Sequence, residues 1–297
     1  MPEVVPGARQ DARRTGPLVV VGVLAVVSVA IAIFGATPAP VSAREMLGAT
    51  RDPGQPAFVA GHRGDADNAP ENTLPAVDAA IAAGFDYVEV DVALTVDGTA
   101  VLMHDATVDR TTNGTGRLAD LEIAEVRALD AGAWFGARFV GTRVPLIEEF
   151  LDVLAASEAR ALIELKGEWT REAVAALVAR IDERGLERRV AASSFDARTL
   201  AMVATESTVI SRLAILRSVP EDVVGAARSL GVRGIVVKGS AIIARPEVVD
   251  ELHAAGIRVV VYTFNEDREW RDALSIGVDG IVTDRPAMLA TWLSASP

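Results

Sequence analysis

Several charged and imidazole side chains in this sequence stand at the ends of short apolar, β-rich runs, where leaving them buried and unpaired would be costly. His62 and Arg63 follow the run 58–61, Glu89 and Asp91 lie in the run 87–92, and Glu164 and Lys166 end the run 161–165. His104 follows a hairpin-like stretch. On an extended strand, residues i and i+2 share a face at roughly 7 Å, so each pair points one way. Three carboxylates gathered together raise one another's pKa values unless a cation sits among them. Oxygen-only ligands favour a hard divalent ion, Ca2+ or Mg2+, over zinc. Arg63 and Lys166 add positive donors suited to a phosphate diester. His62 and His104 offer a base and an acid near neutral pH.

Each of these residues has a plainer reading. Glu164 and Lys166 would serve equally as a salt bridge. Glu71-Asn72-Thr73 precedes a helical run and reads as capping, which leaves Glu71 and Asn72 a supporting place at most. Asp284, ahead of Arg285-Pro286, reads as opening the last helix rather than performing chemistry. Of the three histidines, His253 falls inside a helical run and is assigned a structural place. Phe195 and Tyr262 are aromatic walls of a substrate groove, or core.

Elements must bring these positions together. Strands are expected at 58–61, 87–92, 161–165, 190–193, 211–215, 234–237, 258–262 and 280–282. Helical periods follow at 74–83, 147–156, 171–184, 197–204, 221–229, 247–255, 268–275 and 286–294. This β-then-α alternation predicts an α/β fold, a (β/α)8 TIM barrel, with the strand ends converging at one mouth. An open doubly wound sheet has the same periodicity. The rhythm breaks once, after strand two. There Asp97-Gly98 predicts a two-residue hairpin between 93–96 and 99–103, followed by a polar insertion. A long excursion on the loop-bearing face belongs with an active site.

Composition narrows the function classes. A net charge of −12 argues against a nucleic-acid partner, which needs a basic face. No cysteine is present, which excludes disulfides, thiolate zinc sites and a thiol nucleophile. Residues 1–17 are polar and carry Arg9, Arg13 and Arg14, and an uncharged Val/Ala-rich run occupies 18–36. At 1.5 Å per residue the run reaches roughly 28 Å, close to a membrane's hydrocarbon thickness. The arginines ahead of it place the N-terminus in the cytoplasm and the remainder outside. A transmembrane anchor with an extracytoplasmic catalytic domain is the expectation. The alternative is a secreted protein released by signal cleavage, for which Val41-Ser42-Ala43 offers a site. Residues 37–56 read as a linker and 57–297 as the catalytic domain.

Gly61-His62-Arg63-Gly64, Pro70-Glu71-Asn72-Thr73, Glu89-Val90-Asp91-Val92, His104-Asp105, Asp109-Arg110-Thr111-Thr112, Glu164-Leu165-Lys166 and the stretch from Gly277 to Pro286 stand in an ordered series. In that order they resemble the glycerophosphodiester phosphodiesterase family, of the phospholipase C-like phosphodiesterase superfamily. The likeness covers 58 to about 292. It implies a TIM barrel with metal ligation by Glu89, Asp91 and Glu164. It also implies acid–base work by His62 and His104, and phosphate contacts from Arg63 and Lys166. The implied activity is metal-dependent hydrolysis of a small-molecule glycerophosphodiester to glycerol 3-phosphate and an alcohol. A lysophospholipase D-like activity on membrane lysolipids keeps the same site with another substrate. A glycerophosphate-binding surface module without turnover is the reading from a different class. One departure is Val261-Tyr262-Thr263, where relatives usually carry a Trp-Thr pair, and it bears on the substrate's shape.

Overall fold

The apolar runs pair as neighbours in space, as the alternation requires. The computed structural model describes residues 39–295. Its strands are β1 (Phe58–Gly61), β2 (Tyr87–Leu94), β3 (Ala100–Leu102), β4 (Arg160–Leu165), β5 (Val190–Ser194), β6 (Ser211–Leu216), β7 (Gly234–Lys238), β8 (Arg258–Tyr262) and β9 (Gly280–Thr283). They join in the order β1-β9-β8-β7-β6-β5-β4-β2-β3, and β1 also pairs with β2. That last pairing, Ala60 to Tyr87 and Gly61 to Val88, closes eight parallel strands into a barrel and excludes the open sheet. Helices such as Leu74–Ala83, Ile147–Ala155 and Arg171–Asp182 follow strands, and their apolar residues cover the outside of the barrel.

Strand side chains alternate between two cores. Val59, Val88, Val90, Ile163 and Val261 face outward into the layer shared with the helices. Phe58, Ala60, Tyr87, Leu162, Leu213, Val236, Val260 and Val282 fill the barrel itself. Continuing the inward period toward the mouth, Tyr87 leads to Glu89 and Asp91, and Leu162 leads to Glu164. The register sets Asp91 directly beside Glu164. The interior is therefore apolar at the floor and ionic at the mouth.

The floor is closed by part of the stretch expected as a linker. From Val41 onward this stretch packs into the barrel as a plug. A short helix, Ala43–Leu47, is capped by Ser42, whose hydroxyl accepts from the Glu45 amide at 3.1 Å. Val41, Met46 and Leu47 are buried in the interior core. Burying such side chains stabilises by about 1.5–3 kcal/mol each. The Tyr87 hydroxyl donates to the Met46 carbonyl, and the Arg258 guanidinium grips the Gly48 carbonyl at 2.9 Å. The catalytic domain thus begins before residue 57. The apolar run 18–36 lies outside the described residues. Among the described residues, no helix is long and apolar enough to cross a membrane.

The hairpin is wider than the expected two residues. β2 continues to Leu94, β3 begins at Ala100, and Leu94 pairs with Ala100. The Thr95 amide donates to the Thr99 carbonyl, and the Thr95 hydroxyl, shared with Asp97 and the Thr99 backbone, holds the longer turn. The insertion that follows carries its own small core of Val101, Met103, Val108, Leu118, Val126 and Val144.

Candidate active site

At the end of β1 the chain makes a turn that only small residues permit. Gly64 has φ +89°, and a Cβ there would stand 2.6 Å from backbone of Ala76. Arg63 and Asn72 also take left-handed backbone, at φ 57° and 54°. Such non-glycine residues gather at sites where surrounding structure holds them. Here the Arg63 amide donates to Glu89 Oε2 at 2.8 Å. Asn72 clamps Asp91 from two sides: its side-chain amide donates to Asp91 Oδ2 at 2.9 Å, and its oxygen accepts the Asp91 amide at 3.0 Å.

Glu89, Asp91 and Glu164 are all buried, with one oxygen of each lying within 4.8 Å of the others. Two cations face them. Arg63 Nε lies 3.2 Å from Asp91 Oδ2, and Lys166 Nζ lies 3.1 Å from Asp91 Oδ1 and 2.7 Å from Glu164 Oε1. The lysine contacts are poorly directed, so Asp91 Oδ1 and Glu164 Oε1 accept no well-angled hydrogen bond. Burial, then repulsion from Asp91 and Glu164, pushes Glu89 well above the glutamate range. Burial and Asp91 likewise raise Glu164 to about 7 against the pull of Lys166. For Asp91 the burial penalty is outweighed by Lys166 and Arg63, and its pKa falls. These two cations do not balance three carboxylates.

Both histidines are held through Nδ1. His62 Nδ1 lies 2.5 Å from Asp284 Oδ1, and its Nε2 accepts from Arg63 Nε at 3.2 Å with Glu89 at 4.0 Å. Asn265 grips Asp284, donating to Oδ2 at 2.7 Å and accepting the Asp284 amide at 2.9 Å. Asp284 is therefore more than a helix opener, which corrects the reading from sequence. It lies past β9 on the inward side, so it reaches the first strand's histidine only because the barrel closes. Burial raises Asp284, but the His62 hydrogen bond and charge prevail and hold it at about 2. Burial lowers His104, whose Nδ1 lies 2.6 Å from Asp105 Oδ1. Arg110 braces Asp105 at 2.6 Å and Glu71 at 2.7 and 2.8 Å, and Glu71 in turn takes Arg63 Nη1 at 2.5 Å. Glu71 and Asn72 thus stand behind Arg63 and Asp91. Asn265 carried no such signal in the sequence, and Arg110 stood there only within Asp109-Arg110-Thr111-Thr112, with no role assigned.

Phe195 and Tyr262 meet edge-on at the mouth, with ring centroids 6.3 Å apart. Arg217 lies over the Phe195 ring at 4.1 Å, adding a cation to this wall. A cavity bordered by His62, Glu89, Glu164, Ser193 and Tyr262 opens between the ionic and aromatic groups.

The donor set suits a divalent cation. Its atoms are carboxylate oxygens, two of them without a directed partner, and burial together with mutual repulsion raises two of the three carboxyl groups. A TIM barrel carrying a carboxylate trio able to hold a divalent ion beside two braced imidazoles has the groups that hydrolysis of a phosphate ester requires.

Comparison with known proteins narrows that chemistry. The model of the glycerophosphoryl diester phosphodiesterase family matches residues 62–288. A glycerophosphodiester phosphodiesterase of Caldanaerobacter subterraneus is 34% identical over 234 residues, covering 78% of this chain and 96% of its own. One from Bacillus altitudinis is 31% identical, covering 76% and 93%. Among solved structures, an Oleispira antarctica phosphodiesterase in complex with the product sn-glycerol-3-phosphate superposes with a TM-score of 0.73 at 27% identity, over 81% of this chain and 97% of that one. The chain belongs to the glycerophosphoryl diester phosphodiesterase family and is a phosphoric diester hydrolase.

Proposed function

We propose that this chain hydrolyses glycerophosphodiesters to sn-glycerol 3-phosphate and an alcohol, using His62 and His104 as its acid–base pair. The observation that carries the reading is the placement of two Asp-braced imidazoles beside one buried carboxylate trio. The product bound to the Oleispira antarctica relative supports the choice of products. Glu89, Asp91 and Glu164 would hold one divalent ion, Ca2+ or Mg2+, which when bound supplies positive charge to the diester oxygens. Arg63 and Lys166 flank the phosphate and neutralise charge as the transition state forms. One histidine takes a proton from the nucleophile as the new P–O bond forms, the nucleophile being water or the neighbouring glycerol hydroxyl, whose cyclic phosphate a water then opens. The other gives its proton to the departing alkoxide as the old P–O bond breaks. Asp284 and Asp105 keep each imidazole turned so that Nε2 faces the substrate. Phe195, Tyr262 and Arg217 form the wall against which the alcohol group lies.

The test is release of phosphomonoester from glycerophosphocholine and from a lysophosphatidylcholine, with divalent ion supplied and then chelated. Ion-dependent turnover with glycerophosphocholine as the better substrate is the expected result. Turnover only on the lysolipid would replace the substrate class, and turnover on neither diester would remove the reading.

We also propose that residues 18–36 anchor the chain in a membrane with the barrel outside the cytoplasm. The supporting observation is the position of the candidate cleavage site inside the plug. Cleavage after Ala43 would remove Val41, which is 1% exposed, and the helix cap Ser42.

A further inference from the structure

Five of the eight barrel strands carry an arginine at their floor end. Arg160 and Arg258 open β4 and β8, Arg189 and Arg233 immediately precede β5 and β7, and Arg212 is second in β6. Because all eight barrel strands are parallel and these five are consecutive, the residues form an arc on the face opposite the mouth. The hydrogen bonds of Arg160, Arg189, Arg212 and Arg258 go to neutral oxygens, the Tyr87 hydroxyl and backbone carbonyls. Arg160 donates to Met46 O at 3.2 Å, Arg189 to Leu154 O and Ala159 O at 2.6 and 2.7 Å, and Arg212 to Leu230 O and Gly231 O at 2.9 Å. A carbonyl satisfies a donor without cancelling its charge. Among the described residues, Arg258 alone of this arc comes within 4.0 Å of a carboxylate, Asp279 at 3.9 Å.

The aspartates that precede β2 and β9 hold backbone amides, and Asp279 also takes His253 Nε2 at 2.8 Å. Asp86 accepts the Val59 amide at 2.8 Å, and Asp279 accepts the Val259 amide at 2.7 Å. Arg44, on the plug helix, joins Arg233 and Arg258 around an open cleft of about 490 Å3 that also takes in Pro40 and Ser42. Arg44 and Arg233 are exposed. In a chain with net charge −12, three arginines and no carboxylate thus line this cleft, while the carboxylate trio sits at the other end of the barrel.

We propose that this floor is a docking surface for anionic lipid headgroups, with Arg44 and Arg233 as the outermost contacts and the cleft between them receiving a headgroup phosphate. Lipid is the partner chosen because the plug enters the floor at Val41, and in sequence the uncharged run 18–36 ends just before it. Guanidinium groups bind phosphate bidentately, and clusters of them beside an apolar segment are attracted to anionic leaflets. The consequence is an active-site mouth turned away from the bilayer toward soluble diesters. This inference rests on the proposed membrane anchor but not on the hydrolase reading.

The absence of cysteine allows a clean test, since one introduced cysteine is the only labelling site. The full chain is reconstituted in vesicles of phosphatidylcholine, alone or mixed with phosphatidylglycerol. A fluorophore is carried at Ala254→Cys, beside the cleft, or at Val140→Cys in the mouth-side insertion. Quenching by lipid-borne spin labels should be stronger for the floor probe than for the mouth probe, and should rise with phosphatidylglycerol. Arg44→Glu with Arg233→Glu should lower the docked-to-undocked ratio by about fivefold or more, and high salt should do the same to the unsubstituted chain. Turnover of glycerophosphocholine, read on the same vesicles, should stay unchanged, which separates failure of docking from failure of the hydrolase reading. Equal quenching of the two probes, or indifference to anionic lipid and to salt, would overturn the proposal.

Discussion

His62 Nδ1 lies 2.5 Å from Asp284 Oδ1, a contact that spans 222 positions of sequence and exists because β9 returns beside β1. It fixes the imidazole's tautomer, since a carboxylate accepts only from a protonated Nδ1.

Asp284→Asn should lower kcat on the order of 10- to 100-fold with little change in KM, the usual scale for losing a partner that orients a functional histidine. Steady-state kinetics on glycerophosphocholine would show it. The carboxylate is held at about 2, below the ordinary aspartate value of 3.8. Its contribution to stability is therefore present above roughly pH 4 and is lost as pH falls toward 2. The neutral-pH limbs of the rate profile should not belong to it.

The carboxylate trio predicts opposite pH trends with and without a divalent ion. Glu164 titrates near 7 in the folded, ion-free protein against an ordinary value of 4.5. Between those values the unfolded chain holds fewer protons, so ion-free stability should fall as pH rises through that window. A bound cation removes the penalty. The rise in Tm on adding Mg2+ or Ca2+ should therefore be larger at pH 8 than at pH 6, by roughly 3 °C or more. A calorimetric scan at the two pH values checks this.

Glu89→Gln should raise the ion-free Tm, because it removes a charge that burial and two neighbouring carboxylates oppose. The same change should weaken ion binding and lower turnover by at least about tenfold. Thermal melts and an ion titration of the same protein measure both effects.

Leu47→Ala should cost about 2–5 kcal/mol, as for other buried leucines whose space cannot collapse. Leu47 lies at the floor, so kcat of the folded fraction should be unchanged. Urea unfolding followed by activity at low urea separates the two.

Much of this was legible in the sequence because strands alternate with period two and helices with a longer one. Glu89-Asp91 and Glu164-Lys166 announced themselves as charges inside apolar strands, and the structure brings them together as the closed barrel requires. Asp284 did not, since an aspartate before Arg-Pro looks like helix punctuation and only closure reveals its partner. Asn265 was hidden for the same reason, and Arg110 stood in a motif without a legible role because its partner Glu71 is remote in sequence. Pro38, Pro40 and Pro53 suggest a linker where the plug stands, whereas Val41, Met46 and Leu47 find their core only at the barrel floor. Asp97-Gly98 signals a two-residue turn, whereas the Thr95 hydroxyl, bonded to the Thr99 backbone, holds a wider one.

The most direct test of the central claim is turnover of glycerophosphocholine by His62→Ala and His104→Ala, each with divalent ion present and each shown to fold by its Tm. Loss of about 100-fold or more in kcat for both variants is the predicted result. Near-normal kcat in both would contradict the account.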